Sequence, residues 1–450
     1  MPKTFELLKP EIEKLLADRR WAELRGLIVE IPEPDISDTL ERLGEQDRIV
    51  LLRLLPREML SEVFSYLSDR TQTDLLQALT TEETRVILAG LSPDDRAEFL
   101  QELPGQAIQK MMNLLTPEDR RETLQLLGYP GESVGRLMTP DYVAVRPDWT
   151  VDEALAHVRA KGMDSETINV VYVTDGRWKL LGVLGLRKLI LAPPSARIRD
   201  IMEETVVRID AFEDREKAVE LISRYDITAL PVVDAGDTLL GIVTIDDVFD
   251  VAEEEATEDF QKTAAVNPLK ASYRDASILS LYGKRVTWLA SLLGISIVTT
   301  GILASQADTL NSAVALAFFI PLLIGTGGNT GNQSATLMVR ALATGDIRER
   351  QWVGALFREV AIGLLLGVTM GLAGWLLGFF KGDARIALIV SVAMVAIVVA
   401  SSLLGVILPV ILQRFRIDPA VASNPLIASV MDILGLLIYF SVAQAVLAAA

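Results

Sequence analysis

The sequence predicts a multidomain membrane protein in which an α-helical solenoid and an α/β module precede an all-α transmembrane domain. Three observations carry this: an apolar residue recurring every twelve positions through the first 130 residues, a strand-and-helix unit occurring twice over 131 to 255, and five long apolar stretches beyond 281. The 450 residues suffice for three or more units of ordinary size. Charge divides the chain in the same way. Residues 1 to 280 hold 53 acids and 33 bases, and residues 281 to 450 only 7 and 10, so the net charge of −17 belongs to an acidic soluble half joined to a nearly uncharged apolar one. An acidic half excludes nucleic acid as a partner, because phosphates need cations. With no cysteine and one histidine, His157, the chain offers no disulfide and no thiolate or imidazole metal centre. A bound metal must then be a hard cation held by oxygen. The N-terminal MPKTFELLKPEIEKLL is amphipathic with no uninterrupted apolar core, which argues against a cleaved signal peptide.

In the first unit, 1 to 130, an apolar residue precedes a turn or cap residue at Ile31-Pro32, Leu43-Gly44, Leu55-Pro56, Leu67-Ser68, Leu79-Thr80, Leu91-Ser92, Leu103-Pro104, Leu115-Thr116 and Leu127-Gly128. Ser92-Pro93-Asp94-Asp95 and Thr116-Pro117-Glu118-Asp119 place a hydroxyl at the cap, proline at the first helical position and carboxylates at the positive helix end. Thr80 with Glu83 makes a capping box. Each repeat is a short helix and a tight turn, too short to persist alone, so stacking must stabilise it as an α-superhelix.

The second unit, 131 to 255, holds two copies of one pattern. Each has a Met-containing lead-in (Leu137-Met138, Ile201-Met202), a helix, a Val-rich strand, and a Gly-hydrophobic strand entering a last helix. Leu230-Pro231-Val232-Val233-Asp234 and Gly241-Ile242-Val243-Thr244-Ile245-Asp246-Asp247 resemble a cystathionine-β-synthase (CBS) motif, and the tandem resembles a Bateman module. That resemblance implies that Thr244 and Asp247 contact the phosphate and ribose of ATP or another adenine nucleotide. The first copy has Gly185 and Lys188 at those positions, leaving at most one competent nucleotide site.

Residues 246 to 259, DDVFDVAEEEATED, hold eight carboxylates and no base: Asp246, Asp247, Asp250, Glu253, Glu254, Glu255, Glu258 and Asp259. At helical spacing 247, 250, 254 and 258 share a face, as do 255 and 259, so like charges one turn apart repel unless cations screen them. Divalent cations bridging them to Asp94/Asp95, Asp214/Glu216 or Asp418 convert repulsion into cohesion, which makes this run a candidate for cation-dependent closure. An amphipathic, plug-like connecting helix is expected over 256 to 280, interrupted near Asn267-Pro268.

The last unit, 281 to 450, has spans at about 286 to 304, 313 to 339, 353 to 380, 386 to 412 and 422 to 448. Lys284, Arg285, Arg340, Arg348, Arg350, Arg358, Arg414 and Arg416 fall on the N-terminal side, and only Lys381 and Arg385 on the other. This bias makes the soluble half cytoplasmic and puts the C-terminus outside a plasma membrane. In the third span Gly363, Gly367, Gly371, Gly374 and Gly378 form a small-residue stripe suited to close packing.

Polar chemistry concentrates in two spans. PLLIGTGGNTGNQ, 321 to 333, puts a proline, four glycines and side-chain hydrogen-bonding groups at membrane depth, where unpaired backbone is tolerated only if buried or lining an aqueous path. With no preceding strand and no following lysine it is not a P-loop. In the fifth span Asp432 stands alone, and with no intramembrane Lys or His to pair it, a cation is the natural counter-charge. Asp432 is expected to hold a hydrated cation through its waters. The carbonyls of Gly325, Gly328 and Ala428 and the amides of Asn329 and Asn332 are expected to shape the passage. Mg2+ surrenders water reluctantly and takes few protein ligands, which fits one carboxylate per chain. This chemistry leaves Ca2+, Mn2+ and Co2+ open.

Taken together, the helical N domain, the CBS pair, the connecting segment, five spans, PLLIGTGGNTGNQ and the Asp418-Pro419, Asn424-Pro425, Asp432 series resemble the bacterial MgtE magnesium channel/transporter family over essentially the whole chain. The resemblance implies a homodimer with its ion pathway at the membrane-domain interface and Asp432 from both chains at the selective site. It also implies cytosolic acids that bind Mg2+ to close the pore; the candidates offered by the acidic run and the surfaces it could bridge to, not by motif matching, are Asp95, Asp214, Glu216, Asp246, Asp247, Asp250, Glu254, Glu255, Glu258, Asp259 and Asp418. The expected protein is a non-enzymatic channel-like Mg2+ uptake protein of a bacterial inner membrane, surrounded by lipid. The alternatives are a transporter chiefly for Co2+ or Mn2+ and a nucleotide-responsive membrane receptor without transport.

Overall fold

A computed structural model describes residues 4–448 except 104, 270–272, 274–275, 344–345, 348–351, 382 and 416. Two compact units, Met1–Glu253 and Glu254–Ala450, divide the chain.

The first unit opens with ten short helices: α1 (Thr4–Ala17), α2 (Trp21–Ile28), α3 (Glu33–Arg42), α4 (Glu45–Leu54), α5 (Arg57–Ser65), α6 (Asp69–Ala78), α7 (Thr81–Gly90), α8 (Pro93–Gln101), α9 (Gly105–Met112) and α10 (Pro117–Leu127). The repeat residues Ile31, Leu43, Leu55, Leu67, Leu91, Leu103 and Leu115 are buried in one continuous core, with Leu79 packed against it. Each lies just before a helix and pins one turn of the stack. The expected caps form: Ser92 accepts from the Asp95 N–H, Thr116 from the Asp119 N–H, and Thr80 and Glu83 complete a capping box. Alternate helices pack, α3 on α5 and α5 on α7, so each two-turn helix is stabilised by neighbours rather than by itself.

Two three-stranded sheets follow. The first comprises α11 (Val134–Leu137), β1 (Tyr142–Val145), α12 (Val151–Lys161), β2 (Thr167–Thr174), β3 (Leu180–Gly185) and α13 (Leu186–Leu191). The second comprises α14 (Ile198–Ile201), β4 (Ile209–Asp210), α15 (Arg215–Tyr225), β5 (Ala229–Val233), β6 (Leu239–Thr244) and α16 (Ile245–Thr263). In both copies the first strand is parallel to the second and the second antiparallel to the third. The glycine opening each third strand is required for close approach: a Cβ at Gly182 would sit 2.9 Å from the Glu203 carbonyl oxygen, and one at Gly241 2.8 Å from that of Thr139. The lead-in of each copy thus seats against the last strand of the other.

The connecting segment differs from expectation. The helix that carries the acidic run, α16, continues to Thr263 and takes in the first eight residues of the connecting helix expected over 256 to 280, because no proline or glycine interrupts 245–263. Beyond it, the described residues of 264–277 are not helical. Asn267 caps this break, donating from Nδ2 to the Thr287 hydroxyl and accepting from Trp288 Nε1 at 3.0 Å.

Among the described residues five helices are long and apolar enough to cross a membrane. These are α17 (Ile278–Ser305), α19 (Ile320–Ala343, preceded by a 3-10 segment Val314–Phe319), α20 (Trp352–Lys381), α21 (Ala384–Arg414) and α22 (Asn424–Ala448); α18 (Ala307–Ser312) is a short helix between the first two. The glycine stripe of α20 packs on α21, where Cβ atoms at Gly367 and Gly378 would lie 3.2 Å from Val395 Cα and 2.7 Å from Ala387 Cα. By contrast α17 buries none of its residues within the chain.

Candidate functional site

The polar stretch PLLIGTGGNTGNQ is an unbroken part of α19, not the irregular backbone its glycines suggest. The irregularity lies upstream, in the 3-10 segment, where Tyr439 donates to the Leu316 carbonyl at 2.9 Å. In α19 the glycines serve packing instead. A Cβ at Gly327 would lie 2.8 Å from Ile397 Cγ2, one at Gly331 2.8 Å from Ile427 Cγ2, and one at Gly405 of α21 only 2.5 Å from the Gly331 carbonyl. Ser401, fully buried on α21, donates to the Gly327 carbonyl.

At 100° per residue, Gly327, Gly331 and Ser334 form the face of α19 that meets α21, and Gly325, Asn329 and Asn332 the opposite face. Gly325 and Asn329 are exposed. Asn332 is half-buried and its Oδ1 is enclosed without a hydrogen-bond partner among the described residues. On the flank a Cβ at Gly328 would touch Ala428 of α22 at 3.5 Å. Asp432 follows one turn after Ala428, half-buried, and among the described residues its carboxylate has no hydrogen bond or ion pair. The carbonyls expected to shape the passage, Gly325, Gly328 and Ala428, belong to continuous helices, so their first lone pairs serve the helix ladder. Ser423 Oγ and Asn424 Oδ1 at the start of α22 are also buried without partners among the described residues, a polar patch that the Asn424-Pro425 cap signal alone did not single out.

In the first unit, acids of the helical domain and the CBS pair converge. Burial first, and the neighbouring Asp95 and Glu166 next, push the Asp94 carboxyl far up; Asp247 is raised by burial and then by Asp94. Asp95 and Glu166 are raised by burial and by Asp246, and Asp141 by burial and Asp164. Asp94 Oδ1 is enclosed without a hydrogen-bond partner among the described residues. No three acidic side chains among the described residues form a ready-made cage, so the surface fits a hydrated cation or a proton better than a dehydrated ion. Sequence reasoning named Asp94 as a helix-start residue and as a bridging partner but missed Glu166, which the tertiary fold brings to Asp246, and Asp141, which it brings to Glu166. Thr244 donates to Asp247 Oδ2 at 2.8 Å, so the nucleotide-motif pair is assembled, with its carboxylate shared with the acidic surface. Lys188 of the first copy instead pairs with Glu203 at 3.3 Å.

The second unit holds a separate group. Lys262 pairs with Asp418 at 2.5 Å and with Glu258. Burial pulls the Lys262 ammonium down, but its hydrogen bonds to Asp418 and Glu258 outweigh this and hold it above its usual range. Asp259 is raised by burial and by Asp418. Asp418 also caps a 3-10 turn through the Ala420 N–H. In the CBS pair, Asp214 is a helix cap, accepting from the Glu216 N–H at 2.9 Å, which accounts for its conformation without a cation. Asp250 and Glu254 are exposed on α16 and Glu255 is half-buried. Third-span Glu359, which sequence reasoning did not select, accepts a hydrogen bond from Ser334.

Comparison with known proteins matches this arrangement. Residues 320–442 match the MgtE divalent cation transporter family, 31–132 the MgtE intracellular N domain, and 134–195 and 198–254 the CBS domain. A protein called magnesium transporter MgtE from Thermus thermophilus is 46% identical over 326 residues, 72% of each chain, and its namesake from Bacillus subtilis is 36% identical over 71% of each. A crystal structure described as the cytosolic domain of the Mg2+ channel MgtE in complex with ATP is 40% identical and superposes with a TM-score of 0.52, covering 53% of this chain and 98% of its own. The soluble part of a magnesium transporter gives 0.53 at 31% identity, covering 56% and 99%. With an identity of 46% across most of its length and every segment matched in order, the chain belongs to the MgtE family of magnesium transporters.

Proposed function

We propose that this protein carries Mg2+ through a bacterial inner membrane as a channel-like homodimer, and that cytosolic Mg2+ closes it. The observation that carries the reading is Asp432: a carboxylate on a membrane helix, without a protein counter-charge among the described residues, beside the Gly328–Ala428 contact. A hydrated divalent ion satisfies such a charge through its own waters, and the enclosed Asn332 oxygen is a further acceptor for those waters. The exposed Asn329 face and the unburied α17 are the surfaces a second copy would complete. The basic bias of the membrane flanks supports a cytosolic soluble half and an external C-terminus.

Closure works through charge. Asp94, Asp95, Asp141, Glu166, Asp246 and Asp247 repel when ionised, and Mg2+ among them turns the helical domain and the CBS pair into one cohesive body. In the second unit Asp259 and Asp418, with Glu254, Glu255 and Glu258, and in the first Asp250, are further candidate carboxylates for regulatory Mg2+. The functional division is a sensor at 1–130, a CBS relay at 131–255, a connecting segment at 256–280 and a conducting domain at 281–450. An adenine nucleotide bound at Thr244 and Asp247 would draw on the same carboxylate as the acidic surface, which links nucleotide and cation.

The test is Mg2+ flux into vesicles holding purified protein, with Mg2+ varied on the side of the soluble half. Flux in wild-type protein, its loss in Asp432→Ala, and its suppression by Mg2+ on that side are expected. No wild-type flux would sink the transport reading, and undiminished flux at high cytosolic-side Mg2+ would sink closure. The broader divalent-cation description of the family favours one second reading, preference for Co2+ or Mn2+, which competition against Mg2+ flux decides.

A further inference from the structure

The passage face of α19 is only as well placed as the helix behind it. Two hydrogen bonds hold that rear surface. Ser401 of α21 donates to the Gly327 carbonyl, and two turns further along Ser334 donates to Glu359 Oε1 of α20 at 2.5 Å. Ser334 is buried, with 6% of its surface exposed, and Glu359 is half-buried. Below this hydrogen bond the same three helices close a small apolar cluster of Met338, Leu342 and Val406, with Ala355 and Leu356 against it.

A carboxylate is an expensive choice for this position. The 30-residue α20 is about 45 Å long, longer than a ~30 Å hydrocarbon layer, so Glu359, about 10 Å from its start, lies near the boundary of the layer. Even there burial of a charge calls for a donor. A serine pair or an apolar contact would have packed these helices at lower cost. What the carboxylate adds is a strong, directional acceptor for one hydroxyl.

We infer that Glu359 is a positioning residue for ion passage: by holding Ser334 it fixes the rotation of α19 about its own axis, and so the direction of the Asn329 and Asn332 side chains opposite. Ser334 lies about 140° to 200° around the helix from those residues. Without the Glu359 hydrogen bond, the rear face of α19 keeps the Ser401 hydrogen bond to the Gly327 carbonyl, two turns away, to set its rotation. A rotation of about 20° at a side-chain radius of about 6 Å moves an amide oxygen by about 2 Å, enough to displace it from the waters of a hydrated ion. Glu359 touches no ion in this scheme. It acts through Ser334, and the inference rests on the proposed passage beside Asp432.

The experiment uses full-length protein in vesicles and compares Ser334→Ala, Glu359→Leu and Glu359→Gln with wild type and with Asp432→Ala. Initial rates are measured against Mg2+ concentration, together with the ratio of Mg2+ to Co2+ flux. Ser334→Ala and Glu359→Leu are expected to lower that ratio and raise KM for Mg2+ by roughly fivefold, the equivalent of one hydrogen bond. Glu359→Gln keeps an acceptor for the serine and is expected to stay within about twofold of wild type. Ser334→Ala removes a single oxygen, so it decides the matter if Glu359→Leu fails to fold. Wild-type KM and ion ratio in Ser334→Ala overturn the inference, as does a Glu359→Gln protein as impaired as Glu359→Leu. If Asp432→Ala transports normally, the pathway reading fails first; if it is dead while Ser334→Ala is unaffected, only this inference fails.

Discussion

Single residues decide the chemistry, and the most consequential is Asp432. Removing its carboxylate by Asp432→Ala should improve the fit of α22 to an apolar environment while abolishing Mg2+ flux, so thermal stability in detergent should hold or rise as transport disappears. The buried acids give a second expectation. The carboxyls of Asp94 and Asp247 lie above their ordinary range in the docked form, so docking favours the protonated state. An acid raised by folding contributes most below its unfolded value and costs stability as pH climbs through the raised one. Without Mg2+, the junction of the helical domain and the CBS pair should therefore resist protease better near about pH 6 than about pH 8, and Mg2+ should restore protection chiefly at the higher pH. Equal cleavage at both pH values would contradict this. Asp432 was legible in the sequence as a lone charge in an apolar run, and in the structure it has no hydrogen bond or ion pair among the described residues. Glu166 and Asp141 were not, because nothing near them in the chain signals that folding carries Glu166 to Asp246 and Asp141 to Glu166.

Elements show why some patterns read true and others misled. The twelve-residue repeat was legible because each period carries its own cap and its own buried apolar residue, so the local signal and the packing agree. In PLLIGTGGNTGNQ they disagree: glycine lowers helix propensity, yet the neighbouring α21 and α22 need Gly327 and Gly331 without side chains, and packing prevails over propensity. Gly405→Val tests that account. A Cβ there would lie 2.5 Å from the Gly331 carbonyl, so the variant should separate α19 from α21 and lower stability by about 1–3 kcal/mol, seen as a reduced Tm of the purified protein. In α16 the acidic run stays helical through Thr263 because, despite mutual repulsion, it contains no helix breaker, whereas the described residues of 264–277, where the connecting helix was expected to continue, are not helical. Lys262→Met should loosen the end of α16 from Asp418, raising the Mg2+ concentration needed for closure if the lysine helps hold the closed arrangement. An unchanged closure curve would show that the ion pair is dispensable.

Over the whole molecule, charge and hydropathy separate so completely that the soluble and membrane halves could be told apart by counting. What counting could not supply is how one half addresses the other. The partition of acids suggests the answer in ionic terms: a soluble half bearing a large excess of negative charge should expand as salt is withdrawn, and Mg2+ should compact it far below the concentration at which Na+ does, which small-angle scattering can follow. Equal potency of the two ions would argue for bulk screening instead of specific sites. The uninterrupted α16 adds a mechanical side to this. Nineteen residues of continuous helix amount to a rod of about 28 Å. A tilt of only about 10° at one end of such a rod displaces the other by about 5 Å, so its length alone gears a small change in mounting up into a movement the width of a hydrated ion.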